Sequence, residues 1–194
     1  MLKFKFLLVV ALFAGCVAIA HASYDEAKDA YDRGDYVKAA QEFKVLAEQG
    51  NADAQCLLGT LYAKGRGMPK NNAEALRWYR AAAEQGNAKG QYYLAVIFDM
   101  GDGVPRDYAE ALKWYRKAAE QGLAVAQSNL GAMYGLGQGV PRDYVRACMW
   151  LNLAAEQGYS EAQNCIEAIS EKMTPDQIAE ARRLAKEWKP RGTE

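Results

Sequence analysis

Residues able to carry out acid/base or nucleophilic chemistry are scarce in this sequence. His21 is the one imidazole, and Cys16, Cys56, Cys148 and Cys165 are the four thiols. No cysteines stand in a C-x-x-C pair, and neither an S-x-x-K nor a G-x-S-x-G nucleophile motif occurs. A hydrolytic nucleophile needs an activating base beside it, and a mixed-ligand zinc site needs imidazole with thiolate. The inventory supplies neither, so no catalytic residue, metal ligand or cofactor is assigned. Cys148 lies ten residues before Gly158 and Cys165 seven after it. On an antiparallel helix pair turning at Gly158 they would sit at similar heights, which makes them the candidate disulfide; the alternative is three small buried residues, Cys56, Cys148 and Cys165.

Glycine-rich loops are the other feature that could do chemistry: GRGMP from Gly65, GDGVP from Gly101 and GQGVP from Gly137. A phosphate cradle needs free backbone amides feeding a helix N-terminus, with a Lys and a Ser or Thr. Here a proline removes an amide, and Asp107 or Asp143 puts a carboxylate where the anion would sit. The loops are better explained as connectors, glycine supplying left-handed backbone at a helix end and proline leading into the next helix.

The elements that carry these residues follow from spacing. Lys3 and Lys5 precede an apolar run from Phe6 to Ala20, followed by Ala20-His21-Ala22, the pattern of a secretory signal cleaved after Ala22. Phe13-Ala14-Gly15-Cys16 offers a second reading, a lipoprotein anchored at Cys16. Cleavage after Ala22 removes His21 and leaves two more acidic than basic side chains. That charge balance is a poor footprint for nucleic acid, and the apolar run is too short for a bilayer-spanning helix of about 20 residues.

Beyond residue 22 the chain is periodic. AEQG recurs at Ala47–Gly50, Ala83–Gly86, Ala119–Gly122 and Ala155–Gly158, always 36 residues apart. Repeats of this length signal stacked supersecondary units. Within a unit, Ala54, Leu58, Leu61 and Tyr62 form one helical stripe, and Ala75, Tyr79, Ala82 and Ala83 a second. Gly50, Gly86, Gly122 and Gly158 are the turns between units. Gly59, Ala95 and Gly131 let the helices approach closely while aromatic residues fill the wider gaps. Each AEQG glutamate is expected to accept hydrogen bonds from amides opening the next helix, since at a helix C-terminus its charge is otherwise unfavourable. Ser160 and Gln163 have capping-box spacing. Thr174-Pro175-Asp176-Gln177 opens a last helix, read as a closing cap or a partner-binding tail. The expected divisions are 1–22 signal peptide, 23–50 atypical first repeat, 51–158 three full repeats, and 159–194 a partial repeat with its capping helix.

These motifs, A-x-x-x-L-G-x-x-Y, G-x-G-V-P, D-Y-x-x-A and W-Y-x-x-A-A-E-Q-G, resemble the Sel-one-like repeat, a relative of the tetratricopeptide repeat. The resemblance implies an all-α, right-handed solenoid of antiparallel helix pairs acting as an adaptor in macromolecular complexes, here an exported bacterial one, periplasmic or secreted. Some exported, cysteine-rich relatives are linked to penicillin binding and β-lactam hydrolysis, so the alternative function is a hydrolase acting on cell walls or β-lactams.

As an adaptor the chain would bind a protein or peptide segment of the cell envelope in the groove lined by the first helix of each pair. Positions that stacking leaves free are where a partner can be read. They are Cys56, Tyr92, Ser128 and Asn164 at one repeat position, and Leu57, Tyr93, Asn129 and Cys165 at the next. Tyr92 and Tyr93 are the foremost contact candidates, as aromatic rings with polar tips, followed by Ser128, Asn129 and Asn164. Tyr93 has the alternative of filling the core at the stripe's edge.

Overall fold

A computed structural model describes residues 24–190, and the signal-peptide and lipoprotein readings of residues 1–22 lie outside the described residues. The described chain is helical, with no strand. Helix α1 covers residues 24–32, followed by α2 (Tyr36–Glu48), α3 (Ala52–Lys64), α4 (Asn72–Glu84), α5 (Ala88–Met100), α6 (Tyr108–Glu120), α7 (Ala124–Leu136), α8 (Tyr144–Glu156), α9 (Ser160–Ser170) and α10 (Pro175–Glu187). The architecture is the expected α-solenoid of antiparallel helix pairs. Below, α3, α5, α7 and α9 are the A helices, and α2, α4, α6 and α8 the B helices. Contacts divide the chain into two compact units, Met1–Ala82 and Ala83–Glu194.

In the first unit, Asp35 caps α2 through the Lys38 amide, and Asn51 caps α3 through the Ala54 amide. Asn71 caps α4 through the Glu74 amide. Glu74 does not return the bond in a capping box; its carboxylate pairs with Arg77 at 2.8 Å. Phe43, Leu58 and Leu61, fully buried, join Ala27, Ala39 and Trp78 in the core. Gly59 is where α3 meets α4: a Cβ there would lie 2.9 Å from the Tyr79 ring. Tyr79 in turn donates its hydroxyl to Thr60, 3.1 Å away.

The second unit stacks α5 on α6 and α7 on α8. Gly131 allows the closest approach, since a Cβ there would meet the Ala147 carbonyl oxygen at 2.9 Å. Leu94, Leu130 and Leu151 are fully buried along this seam. The last helix departs from the repeat. Thr174 and Gln177 form a capping box with Pro175 in the first turn, and α10 then packs on α8, where Trp188 meets Trp150 edge-on at 5.8 Å. It therefore closes the stack as a cap. At α9 the Ser160–Gln163 capping box does not form: Tyr159 occupies the N-cap without a side-chain bond, and the Ser160 hydroxyl turns to Glu161.

The glycine loops have a further role that spacing did not show. Gly65, Gly101 and Gly137 end their A helices in the left-handed conformation, as expected. The second glycine of the loop is a seat for backbone. In the first unit a Cβ on Gly67 would lie 2.1 Å from the Tyr36 carbonyl oxygen, and in the second a Cβ on Gly139 would lie 2.4 Å from that of Tyr108. Each loop thus lies directly on the first turn of the preceding B helix, and only glycine leaves room.

Candidate functional site

The AEQG joint places the A helices, and its working residue is the glutamine rather than the glutamate. The Ala54 amide of α3 and the Gly90 amide of α5 go to the side chains of Asn51 and Asn87, not to the carboxylates expected at Glu48 and Glu84. The neighbouring Gln121 instead donates to Gln91 Oε1 at 2.8 Å and to the Gly86 carbonyl at 2.9 Å. Gln91 in turn donates to the Ala83 carbonyl, 3.2 Å away. One repeat later, Gln157 donates to Gln127 Oε1 at 2.8 Å and Gln127 to the Ala119 carbonyl at 3.2 Å. A carboxylate cannot do this, since the buried residue must accept at one atom and donate at the other. Gln91 and Gln127 are 4% and 0% exposed, so these paired amides fix the register of successive repeats from inside.

With the helices so placed, the free positions of the second unit separate into two kinds. Ser128 is buried and belongs to the packing, not to a contact surface; a small side chain sinks at a position where the tyrosine ring at 92 stays half outside. Asn164 is exposed on α9. The series Tyr93, Asn129 and Cys165 is half-buried in all three A helices and continues into Val96 and Met100 on α5 and Ala132 and Leu136 on α7. Met100 and Leu136 are 68% and 62% exposed and occupy the same position one repeat apart. Sequence reading missed them, because each closes a helical stripe where Lys64 and Lys172 stand in the flanking repeats. That contrast was the available signal.

Tyr92 is held from within. Its ring lies 5.2 Å from that of Tyr93, at 59°, and 5.9 Å from that of the buried Tyr115. Burial and the nearby Tyr159 hydroxyl raise the Tyr92 pKa, while a hydrogen bond from Asn129 pulls it back. This bond joins α5 to α7 and puts Tyr92, Tyr93 and Asn129 on one surface. Burial also pushes the Tyr115 hydroxyl up, and it donates to Asp99 at 3.3 Å. The phenols of this cluster thus stay protonated at neutral pH and serve as hydrogen-bonding, packing groups.

Among the described residues Cys56, Cys148 and Cys165 are free thiols. Cys148 is buried on α8 beside Asn152, its amide 3.5 Å from the sulfur, whereas Cys165 packs with Ile166 and Ile169 around Leu151. The two side chains thus take different partners, and the candidate bridge is not formed. Burial raises the Cys148 pKa, which keeps the thiol protonated and a poor nucleophile. Among the described residues no cluster of three or more His, Cys, Asp or Glu side chains could hold a metal ion, and no helix is long and apolar enough to cross a membrane. A cleft of about 580 Å³ lies between α8 and α10, lined by Leu153, Glu156, Gln157, Lys186, Trp188 and Pro190 among others.

Fold and site together define a helical repeat protein. The Sel1 repeat family model matches residues 52–87, 88–123 and 124–159, and the chain belongs to that family. It is similar to the crystal structure of a Sel1 repeat protein from Oxalobacter formigenes, with 38% identity over 74% of this chain and 59% of that one and a TM-score of 0.70. It is also similar to a protective antigen of uropathogenic Escherichia coli strains displaying an SLR fold, at 30% identity over 87% of this chain and 45% of that one, TM-score 0.54. The chain therefore spans about half of the length of these two relatives. No curated protein sequence matches it.

Proposed function

We propose that the protein is an exported, non-catalytic adaptor that holds a protein or peptide segment of the cell envelope against the A helices of its second unit. The observation that carries this reading is the pair Met100 and Leu136, large apolar side chains more than half exposed at equivalent positions of α5 and α7. Residues buried for stacking need no such exposure, and apolar groups rimmed by polar ones on a folded surface mark sites of contact. Tyr93 and Asn129 continue the same stripes, and Asn164 extends the face on α9. The Sel1 repeat itself supports a scaffold role, and the apolar run before Ala22 supports export.

The test is in-cell crosslinking of the tagged protein followed by mass spectrometry, comparing wild type with a Met100→Ser/Leu136→Ser/Tyr93→Ala variant. These side chains are exposed or half-buried, so the variant is expected to keep its far-ultraviolet circular dichroism while losing an envelope protein enriched by wild type. An unchanged set of crosslinked proteins, with crosslinks mapping away from α5 and α7, would refute the assignment of this face.

A further inference from the structure

Helices α5 and α7 carry one carboxylate between them, Asp99, and it has no counter-ion among the described residues. Resting on the adaptor reading above, we propose that the bound segment presents a lysine or arginine side chain, which pairs with Asp99 next to the apolar contact at Met100.

The charge balance is plain from the two helices. Helix α7 contains no charged residue, and on α5 the one cation, Lys89, stands at the opposite end of the helix from Asp99. Ten residues separate them, about 15 Å along a helix axis. Asp99 is half-buried, and its carboxylate accepts the Tyr115 hydroxyl at 3.3 Å. A phenol occupies one lone pair but leaves the charge whole. None of the ion pairs among the described residues includes Asp99. The cations that follow it in the chain are turned to phenols instead. Arg106 donates to Tyr108 at 3.3 Å, and Arg116, next to Tyr115 on α6, donates to Tyr134 at 2.9 Å. Burial and then the Asp99 charge raise the Tyr115 pKa, and no cation opposes that rise. A carboxylate partly withdrawn from water gains when an opposite charge meets it, and here that charge has to come from outside.

Stacking does not call for this carboxylate. The equivalent positions in the flanking repeats are Ala63 and Gly135. At Gly135 even a Cβ would come within 3.0 Å of Ile169, so the position otherwise serves close packing. Asp99 therefore puts a charge where its counterparts are small and neutral.

Its surroundings select a long-stemmed cation. Val96 lies one turn before Asp99 on the same side of α5, and Met100 follows it in the chain with 68% of its surface exposed. Lysine and arginine lay their methylene stems along such apolar groups while the charged head meets its partner. A metal ion would need several oxygen ligands, and among the described residues no group of three or more His, Cys, Asp or Glu side chains forms.

The experiment is nuclear magnetic resonance titration of the full chain, labelled on backbone amides, with three capped peptides Ser-Leu-X-Leu-Ser in which X is Lys, Gln or Glu. The Lys peptide is expected to shift the Asp99 and Met100 amides and to bind about tenfold more tightly than the Gln peptide, with the Glu peptide weakest. That advantage should shrink as salt is raised. Asp99→Asn keeps an acceptor for Tyr115 and nearly the same shape, so it should erase the preference for Lys while leaving the thermal midpoint and the Gln affinity unchanged. A purely structural Asp99 would do the reverse, moving the midpoint and leaving the ranking of peptides alone. Equal binding of the Lys and Gln peptides, a Lys preference that survives Asp99→Asn, or a Lys peptide that leaves the Asp99 and Met100 amides unshifted overturns the assignment. The adaptor reading falls separately, only when the in-cell crosslinks map away from α5 and α7.

Discussion

Replacing Gln127 with methionine isolates the amide bridge between repeats, because methionine keeps nearly the same length and volume and removes only the polar atoms. Gln127 is fully buried, donates to Ala119 at 3.2 Å and accepts from Gln157 at 2.8 Å. Neither partner is orphaned by its loss. The Ala119 carbonyl still accepts from the Gly122 amide at 2.9 Å, and Gln157 keeps its bond to the Leu153 carbonyl at 3.3 Å. The full penalty of an unpaired buried group therefore does not apply, and two net hydrogen bonds of about 1 kcal/mol each set the cost at about 2 kcal/mol. Burying an apolar thioether returns part of this, leaving about 1–2 kcal/mol. The control is Gln163→Met, at the same repeat position but exposed on α9, where the change should stay within about 0.5 kcal/mol. Urea unfolding followed by circular dichroism reads the difference, and a cycle with Gln157→Met should return a coupling of about 1 kcal/mol. Equal midpoints for Gln127→Met and Gln163→Met, or zero coupling, would refute the claim that the glutamines set the register.

Two further predictions concern the loops and the thiols. Gly139→Ala combines a φ of +68° with a Cβ 2.4 Å from the Tyr108 carbonyl oxygen, whereas Gly158→Ala at φ +84° meets nothing within 4 Å. Thermal unfolding should show Gly158→Ala losing about 1–2 kcal/mol from backbone strain alone and Gly139→Ala clearly more; equal losses would mean that the loop does not rest on α6. A disulfide exchange reagent near pH 8 should label the half-buried Cys165 before the buried Cys148 and Cys56, with all three accessible in denaturant; a loss of two mass units and a missing Cys148/Cys165 pair would instead reveal the bridge. Because burial raises the Cys148 pKa, its neutral thiol favours the folded state below the ordinary thiol value, and that contribution is lost as pH rises through the folded value.

What could be read in the sequence was whatever depends on neighbours a few residues away. The Thr174 capping box and the left-handed glycines that end the A helices are local events, and local residue types determine them. The period also marked Gly59 and Gly131 as close-approach positions. It could not say which residue of AEQG bridges the repeats. Gln121 meets Gln91 and Gln157 meets Gln127 thirty residues back, and Glu and Gln recur with equal regularity. For the same reason the seat of Gly139 on Tyr108 was out of reach, since an invariant spacing shows that a position matters but not what it touches. Ser128 was misjudged because two residues at equivalent positions need not share an environment: the ring of Tyr92 stays half outside where the serine is covered.

These long-range contacts bear on how such a face can diversify. The joints use few side chains: glutamine pairs Gln91/Gln121 and Gln127/Gln157 beneath the turns, Gly59 and Gly131 against the facing helix, and Gly67 and Gly139 under the loops. None of these joints uses the stripe at 93, 96 and 100 or its counterpart at 129, 132 and 136. Exchanging Met100 for Leu136, both largely exposed, therefore changes what the surface offers without changing what holds the helices in place. In a repeat stack, stability is close to a sum of unit and nearest-neighbour terms, so substitutions confined to this stripe should alter stability little while altering recognition. The exposed apolar side chains of Met100 and Leu136 are not required by these joints, which is what the proposed adaptor role expects of a surface left open for contact.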